Sequence, residues 1–184
     1  MKKERFDEAF VKKRILLLIG EVTREKANDL RNWLMFLNSK SKKEIKLIID
    51  SPGGEVVAAL LLHDAILLSA SPVTCIINGE CSSSGVVILQ AAKKRLMTKH
   101  SFIYLHPIST SFEKQKIIAN GKIEEKFTNK LRSVKERQRF IHDIIIKKTG
   151  RTLEEIKAKE EKIILAQEAK EFGLVDEVIE KYKI

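Results

Sequence analysis

The chain has 184 residues, 35 Lys and Arg against 25 Asp and Glu, and a formal net charge of +10. That length suits one domain with a sizeable core and is short for two. The positive excess raises nucleic acid as a partner, but basic and acidic residues are interleaved, as in Lys122-Ile123-Glu124-Glu125-Lys126 and Lys157-Ala158-Lys159-Glu160-Glu161-Lys162, and one Trp with two Tyr makes no stacking stripe, so no nucleic-acid partner is expected.

The charged start Met1-Lys2-Lys3-Glu4-Arg5 is not followed by an uninterrupted apolar run, because Ile15 to Ile19 is short and is closed by Gly20 and Glu21. A soluble, cytoplasmic protein with no membrane segment is expected. Cys75 and Cys81 read as reduced, buried thiols. No Cys/His cluster has metal-ligand spacing, so neither a metal nor a cofactor is expected.

In chain order, Arg14 to Ile19 reads as a strand, and Thr23 opens a helix with Ala27, Leu30, Leu34 and Leu37 on one face. The next strand, Ile45 to Ile49, ends at Asp50-Ser51-Pro52-Gly53-Gly54, where Pro and paired Gly force a loop. Val56 to Leu68 reads as a helix, Val73 to Ile77 as a strand, and Val86 to Ala92 as an apolar helix after Gly79-Glu80-Cys81-Ser82-Ser83-Ser84-Gly85. Such alternation predicts an α/β fold with a largely parallel sheet. Short extended pieces follow at Leu96 to Thr98 and Phe102 to Leu105, the second running into His106-Pro107. A long charged helix then carries Phe127, Leu131, Val134, Phe140, Ile141, Ile144 and Ile145 as an apolar stripe that needs a partner. Thr149-Gly150 ends it, Thr152 caps a short helix, Ile163 to Leu165 is a final apolar run before Ala166 to Phe172, and Gly173-Leu174-Val175-Asp176 closes the ordered part.

The junction around Ser83 carries the chemistry. Helix N-termini expose unpaired N–H groups and a partial positive charge, so a serine there has its hydroxyl beside a place suited to an oxyanion. On those seven residues alone a cluster of capping serines is the simpler reading. Gly53-Gly54 at one strand end, Ser83 at a helix start and His106 after another strand would together supply oxyanion donors, nucleophile and general base.

The order Ser51-Pro52-Gly53-Gly54, Ser83-Ser84-Gly85, Ile103-Tyr104-Leu105-His106 and Glu168-Ala169-Lys170-Glu171-Phe172-Gly173-Leu174-Val175-Asp176 resembles the proteolytic subunit of the Clp protease, over about Phe6 to Val178. The resemblance implies a ClpP/crotonase-like ββα superhelix, one peptidase domain over 1–184, with a protruding long helix, or handle, at about 108–150. It implies Ser83 as nucleophile, His106 as general base, and the backbone N–H groups of Gly54 and Ser84 as oxyanion hole. Counting back from Gly173 puts Glu161 where the family has its third, aspartate, member, with Glu160 an equally acidic neighbour. Unfolded proteins or peptides are the implied substrates, a ring-shaped homo-oligomer the implied assembly, and an ATP-driven unfoldase the implied partner.

Against the family pattern, the chain goes from His106 through Pro107-Ile108-Ser109-Thr110-Ser111-Phe112 without glycine. It also has no Gly-rich phosphate loop with Lys and Ser or Thr, so any ATP use belongs to a partner. The function expected is a serine-type endopeptidase working through an acyl-serine. The alternatives are a catalytically impaired structural subunit of the same fold and a crotonase-type acyl-CoA enzyme.

Overall fold

The computed structural model describes residues 9–109 and 123–181, less the side chains of 123–126. The expectations for 1–8, for the glycine-free stretch from Thr110 to Phe112 and for the start of the handle region lie outside the described residues.

Among the described residues a seven-stranded sheet forms the centre, with the order β1 (Ile15–Ile19), β2 (Ile45–Ser51), β3 (Val73–Ser82), β4 (Lys94–Thr98), β7 (Glu177–Ile179), every neighbouring pair parallel. β5 (Phe102–Tyr104) leaves this path and lies parallel to the far half of β3, while β6 (Ile163–Leu165) pairs antiparallel with β5. Five consecutive buried residues, Val73 to Ile77, open β3, as a strand covered on both faces requires. In α1 (Arg24–Lys40), Ala27, Leu30, Leu34 and Leu37 are buried and the Thr23 hydroxyl accepts from the Lys26 N–H, as the spacing predicts. α2 (Val56–Leu67) is followed by α3 (Ser84–Gln90), all seven of whose residues are buried. α4 (Ile123–Thr149) packs on α3 and on α5 (Leu153–Lys157), and α6 (Ala166–Phe172) ends at Gly173 in the left-handed conformation.

Three boundaries differ from expectation. β3 does not stop at Ile77 but continues to Ser82, because Gly79 bends the strand instead of ending it: φ is +121° there, and the Asp50 carboxylate occupies the space a side chain would need. α3 accordingly begins at Ser84, not Val86. Order also extends past Asp176, since β7 adds to β4. The stripe on α4 is covered only in part: Ile145 is buried, whereas Leu131 and Phe140 are exposed. Among the described residues no helix is long and apolar enough to cross a membrane.

The C-terminal segment is held by one buried guanidinium. Arg95 on β4 donates to Gln90 Oε1 (2.6 Å) and to the Gly173 carbonyl (2.9 Å) and pairs with Asp176, whose carboxylate also accepts from the Arg95 backbone N–H (2.7 Å). Burial pushes the Asp176 carboxyl up, but the hydrogen bonds and charge of Arg95 outweigh it and hold the group below the usual carboxylate range. A carboxylate depressed in the folded state stabilises fully above its unfolded value of about 4 and loses that contribution as pH falls through the folded value. Because the Asp176 carboxylate is itself exposed and its charge screened by solvent, Asp176→Asn should cost only about 1 kcal/mol at neutral pH. Urea unfolding at several pH values should show the loss shrinking below about pH 4, as the wild type loses the same interaction.

Candidate active site

Strand register brings the sequence motifs together. Ser51 on β2 pairs with Cys81 on β3, Cys81 with Ile103 on β5, and Tyr104 on β5 with Ile163 on β6, so four chain segments end or begin at one level. The Ser83 N–H adds one more rung by donating to the Tyr104 carbonyl (2.8 Å). His106 follows two residues later, beside the serine.

Ser83 itself adopts φ +52°, ψ −124°, a conformation that costs a non-glycine residue about 1–3 kcal/mol. The turn is tight enough to stand the side chain at the mouth of α3. Ser82 and Ser84 are buried, with hydroxyl oxygens that have no hydrogen-bond partner among the described residues, whereas Ser83 is partly accessible. Of the three adjacent serines, the middle one alone is presented to solvent.

Gly53 and Gly54 are required by contact. A Cβ at Gly53, where φ is +93°, would stand 2.6 Å from Ser83 Cβ and 2.7 Å from the Ser82 carbonyl oxygen. Gly54 lies in a bridge to Val22 built by the Val22 N–H on the Gly53 carbonyl (2.7 Å) and the Glu55 N–H on the Val22 carbonyl (2.8 Å), neither of which uses the Gly54 N–H. Ser84 is the first residue of α3, where no preceding turn can accept its N–H. Both expected oxyanion donors thus have no backbone acceptor in the elements that build them.

His106 is half-buried, and its Nδ1 lies 2.8 Å from the Pro107 carbonyl. A proton on Nδ1 donated to that carbonyl leaves Nε2 as an acceptor. Gly54, Ser83 and His106 line one pocket of about 90 Å³, with Gln138, His142 and Glu160 also in its lining. Glu161 is placed by the antiparallel register: its N–H donates to the Leu105 carbonyl (2.7 Å), directly before His106, and its φ is +61°. Its side chain is exposed and does not line the pocket. The carboxylate that does is Glu160, which lies 2.9 Å from His142 Nε2. Neither His142 nor Gln138 belongs to a sequence motif; the one signal is their i,i+4 spacing on the same helix as the apolar Ile141 and Ile145. The two thiols are free and buried, burial raising Cys75 to about 12 and Cys81 well above its ordinary value, so neither competes as a nucleophile.

The description of the family whose model matches this chain is Clp protease, and the match covers residues 2–182. The chain belongs to the Clp protease family. Among solved structures it is similar to a mutant of ClpP1 from Listeria monocytogenes, at 25% identity and a TM-score of 0.82, with 96% of each chain covered. The fold is that of ClpP, and the chain is a ClpP-type peptidase.

Because Gly53 touches Ser83, Gly53→Ala should displace the serine even if the sheet survives. Peptide hydrolysis should fall at least about tenfold, and the positive φ should cost about 1 kcal/mol or more, read as a lowered Tm.

Proposed function

We propose that this chain is a serine endopeptidase that cleaves through an acyl-enzyme at Ser83. The observation that carries the reading is the strained, accessible Ser83 in one pocket with His106 and Gly54. Ser83 Oγ attacks the scissile carbonyl while His106 Nε2 takes its proton; the oxyanion that forms accepts from the N–H groups of Gly54 and Ser84. His106 then protonates the leaving amine, and water activated by the same imidazole releases the acyl group. An extended peptide would lay its scissile bond across this pocket, a backbone-directed mode that tolerates many sequences.

Family membership supports the wider assembly: a cytoplasmic homo-oligomeric ring, fed with unfolded protein by an ATP-driven unfoldase, and no nucleotide site in this chain. It also favours peptide-bond chemistry over the acyl-CoA alternative. For the third member, the Glu161 N–H on the Leu105 carbonyl, which holds Glu161 next to the His106 backbone, supports an orienting carboxylate. The Pro107 carbonyl on His106 Nδ1 and the exposure of Glu161 favour a second reading, a Ser-His dyad oriented by a backbone carbonyl, or a structural subunit with weak activity.

Ser83→Ala should abolish hydrolysis of short peptides and labelling by a serine-reactive phosphonate, with the fold unchanged. His106→Ala should lose nearly as much, and the double variant no more than either, because nucleophile and base act as a unit. Wild-type turnover in purified Ser83→Ala protein would end the proposal. Glu161→Gln separates the two forms of the site: a carboxylate that holds the imidazolium predicts a loss of several orders of magnitude, and a carbonyl-oriented dyad predicts less than about twofold.

A further inference from the structure

The pocket beside Ser83 has apolar walls, from Val56, Leu105, Ile141 and Ile145, but it also holds four polar side chains that catalysis does not use, Ser109, Gln138, His142 and Glu160. His142 is 8% exposed and the Glu160 side chain 13%. The Ile108 N–H donates to Gln138 Oε1 (2.7 Å), which turns the amide nitrogen toward His142 Nε2 (2.8 Å). The same ring nitrogen lies 2.9 Å from Glu160 Oε1. One nitrogen therefore stands between a donor and an acceptor.

No protonation state of the ring satisfies both neighbours. Without a proton, Nε2 accepts from Gln138 and turns its lone pair on the carboxylate; with one, it donates to Glu160 and abuts the amide N–H. In a largely apolar pocket such a mismatch is costly, and a donor brought by a ligand to Glu160 removes it. The neighbouring lysines do not supply that donor: Lys159 pairs with Glu168, and the Lys162 ammonium donates to the Ala158 carbonyl.

We propose that this pocket takes the substrate side chain on the acyl side of the scissile bond, and that Glu160, set by His142 and Gln138, selects a long side chain ending in a cationic or amide donor, lysine first. The selection rests on the acyl-enzyme at Ser83. The methylene stem lies along the apolar walls while the ammonium meets the carboxylate, leaving His142 free to accept from Gln138.

The test uses full-length protein and two peptides that differ only at that residue, lysine against norleucine, which keeps the stem and lacks the ammonium. The expected kcat/KM ratio favours lysine by about tenfold or more. In Glu160→Gln the ratio should collapse toward one. If Glu160 only braces α4 against the turn that carries it, both peptides lose together and the ratio stays, which overturns the selection. A wild-type preference for norleucine overturns it without any variant. Phosphonates carrying the same two side chains give the ratio as rates of Ser83 labelling where turnover is slow. If neither phosphonate labels Ser83 and neither peptide is cleaved, the acyl-enzyme itself is wrong; labelling without lysine preference removes the selection alone.

Discussion

A serine held at φ +52° between a strand and a helix is a local liability, and much of the surrounding structure can be understood as what keeps it there. On one side Ser83 is a rung of the β3–β5 ladder through its N–H. On the other it opens a helix with no exposed residue, so α3 cannot rotate to relax the turn without opening the core. From below, Gly53 presses against Ser83 Cβ with nothing but backbone. A strain of about 1–3 kcal/mol is small beside the burial of Val86, Val87, Ile88 and Leu89, each worth about 2 kcal/mol. The sheet and the buried helix therefore decide the serine's conformation, and its own preference does not.

The same strand ends explain why the site is polar only where it must be. β2, β3 and β5 finish side by side, and Gly54 and Ser84, just past two of those ends, carry the expected donor N–H groups beside a pocket walled in part by leucine and isoleucine. Some groups just beyond the strands are still paired, such as the Ser83 N–H on the Tyr104 carbonyl, so the floor of the pocket is rigid up to its mouth. The Arg95 cluster is the opposite case: it too is buried and charged, but its nitrogens meet Gln90, Gly173 and Asp176, so it fixes the chain end and leaves nothing for a ligand.

How much of this the sequence revealed follows from the range of the interactions involved. Strands of branched apolar residues, the Thr23 cap with its helix face, and the Gly53-Gly54 turn are set by neighbours a few positions away, and they were legible. The end of β3 was not, because Gly79 signals a break locally while its N–H on Ser101 Oγ and the Glu80 N–H on Asp50 Oδ1, to partners more than twenty positions distant, keep the strand going through a bend. Ser83, Gly54 and His106 could be named from order and residue type, and register then accounts for their meeting. Glu161 and Glu160 could not be told apart in this way: adjacent carboxylates have the same composition, and only the backbone at φ +61° sends one outward and leaves the other against His142. The His142–Glu160 pair joins two elements eighteen positions apart with no motif, so it had to be seen.

β5 is only three residues long, and one of its two partners, β6, is made some sixty residues later. A chain emerging from the ribosome can lay down β1, α1, β2, α2, β3 and α3 in order, each against its predecessor. The His106 loop, by contrast, lacks a flank until Ile163 to Leu165 exists, and the Leu105 carbonyl lacks the Glu161 N–H that pins it. Long-range pairings of this kind form late because their loops must close first. The turn that carries Ser83 is thus built early and the seat of His106 last, so an unfinished chain carries Ser83 with no aligned His106. If the two residues act as proposed, cleavage waits for that last pairing.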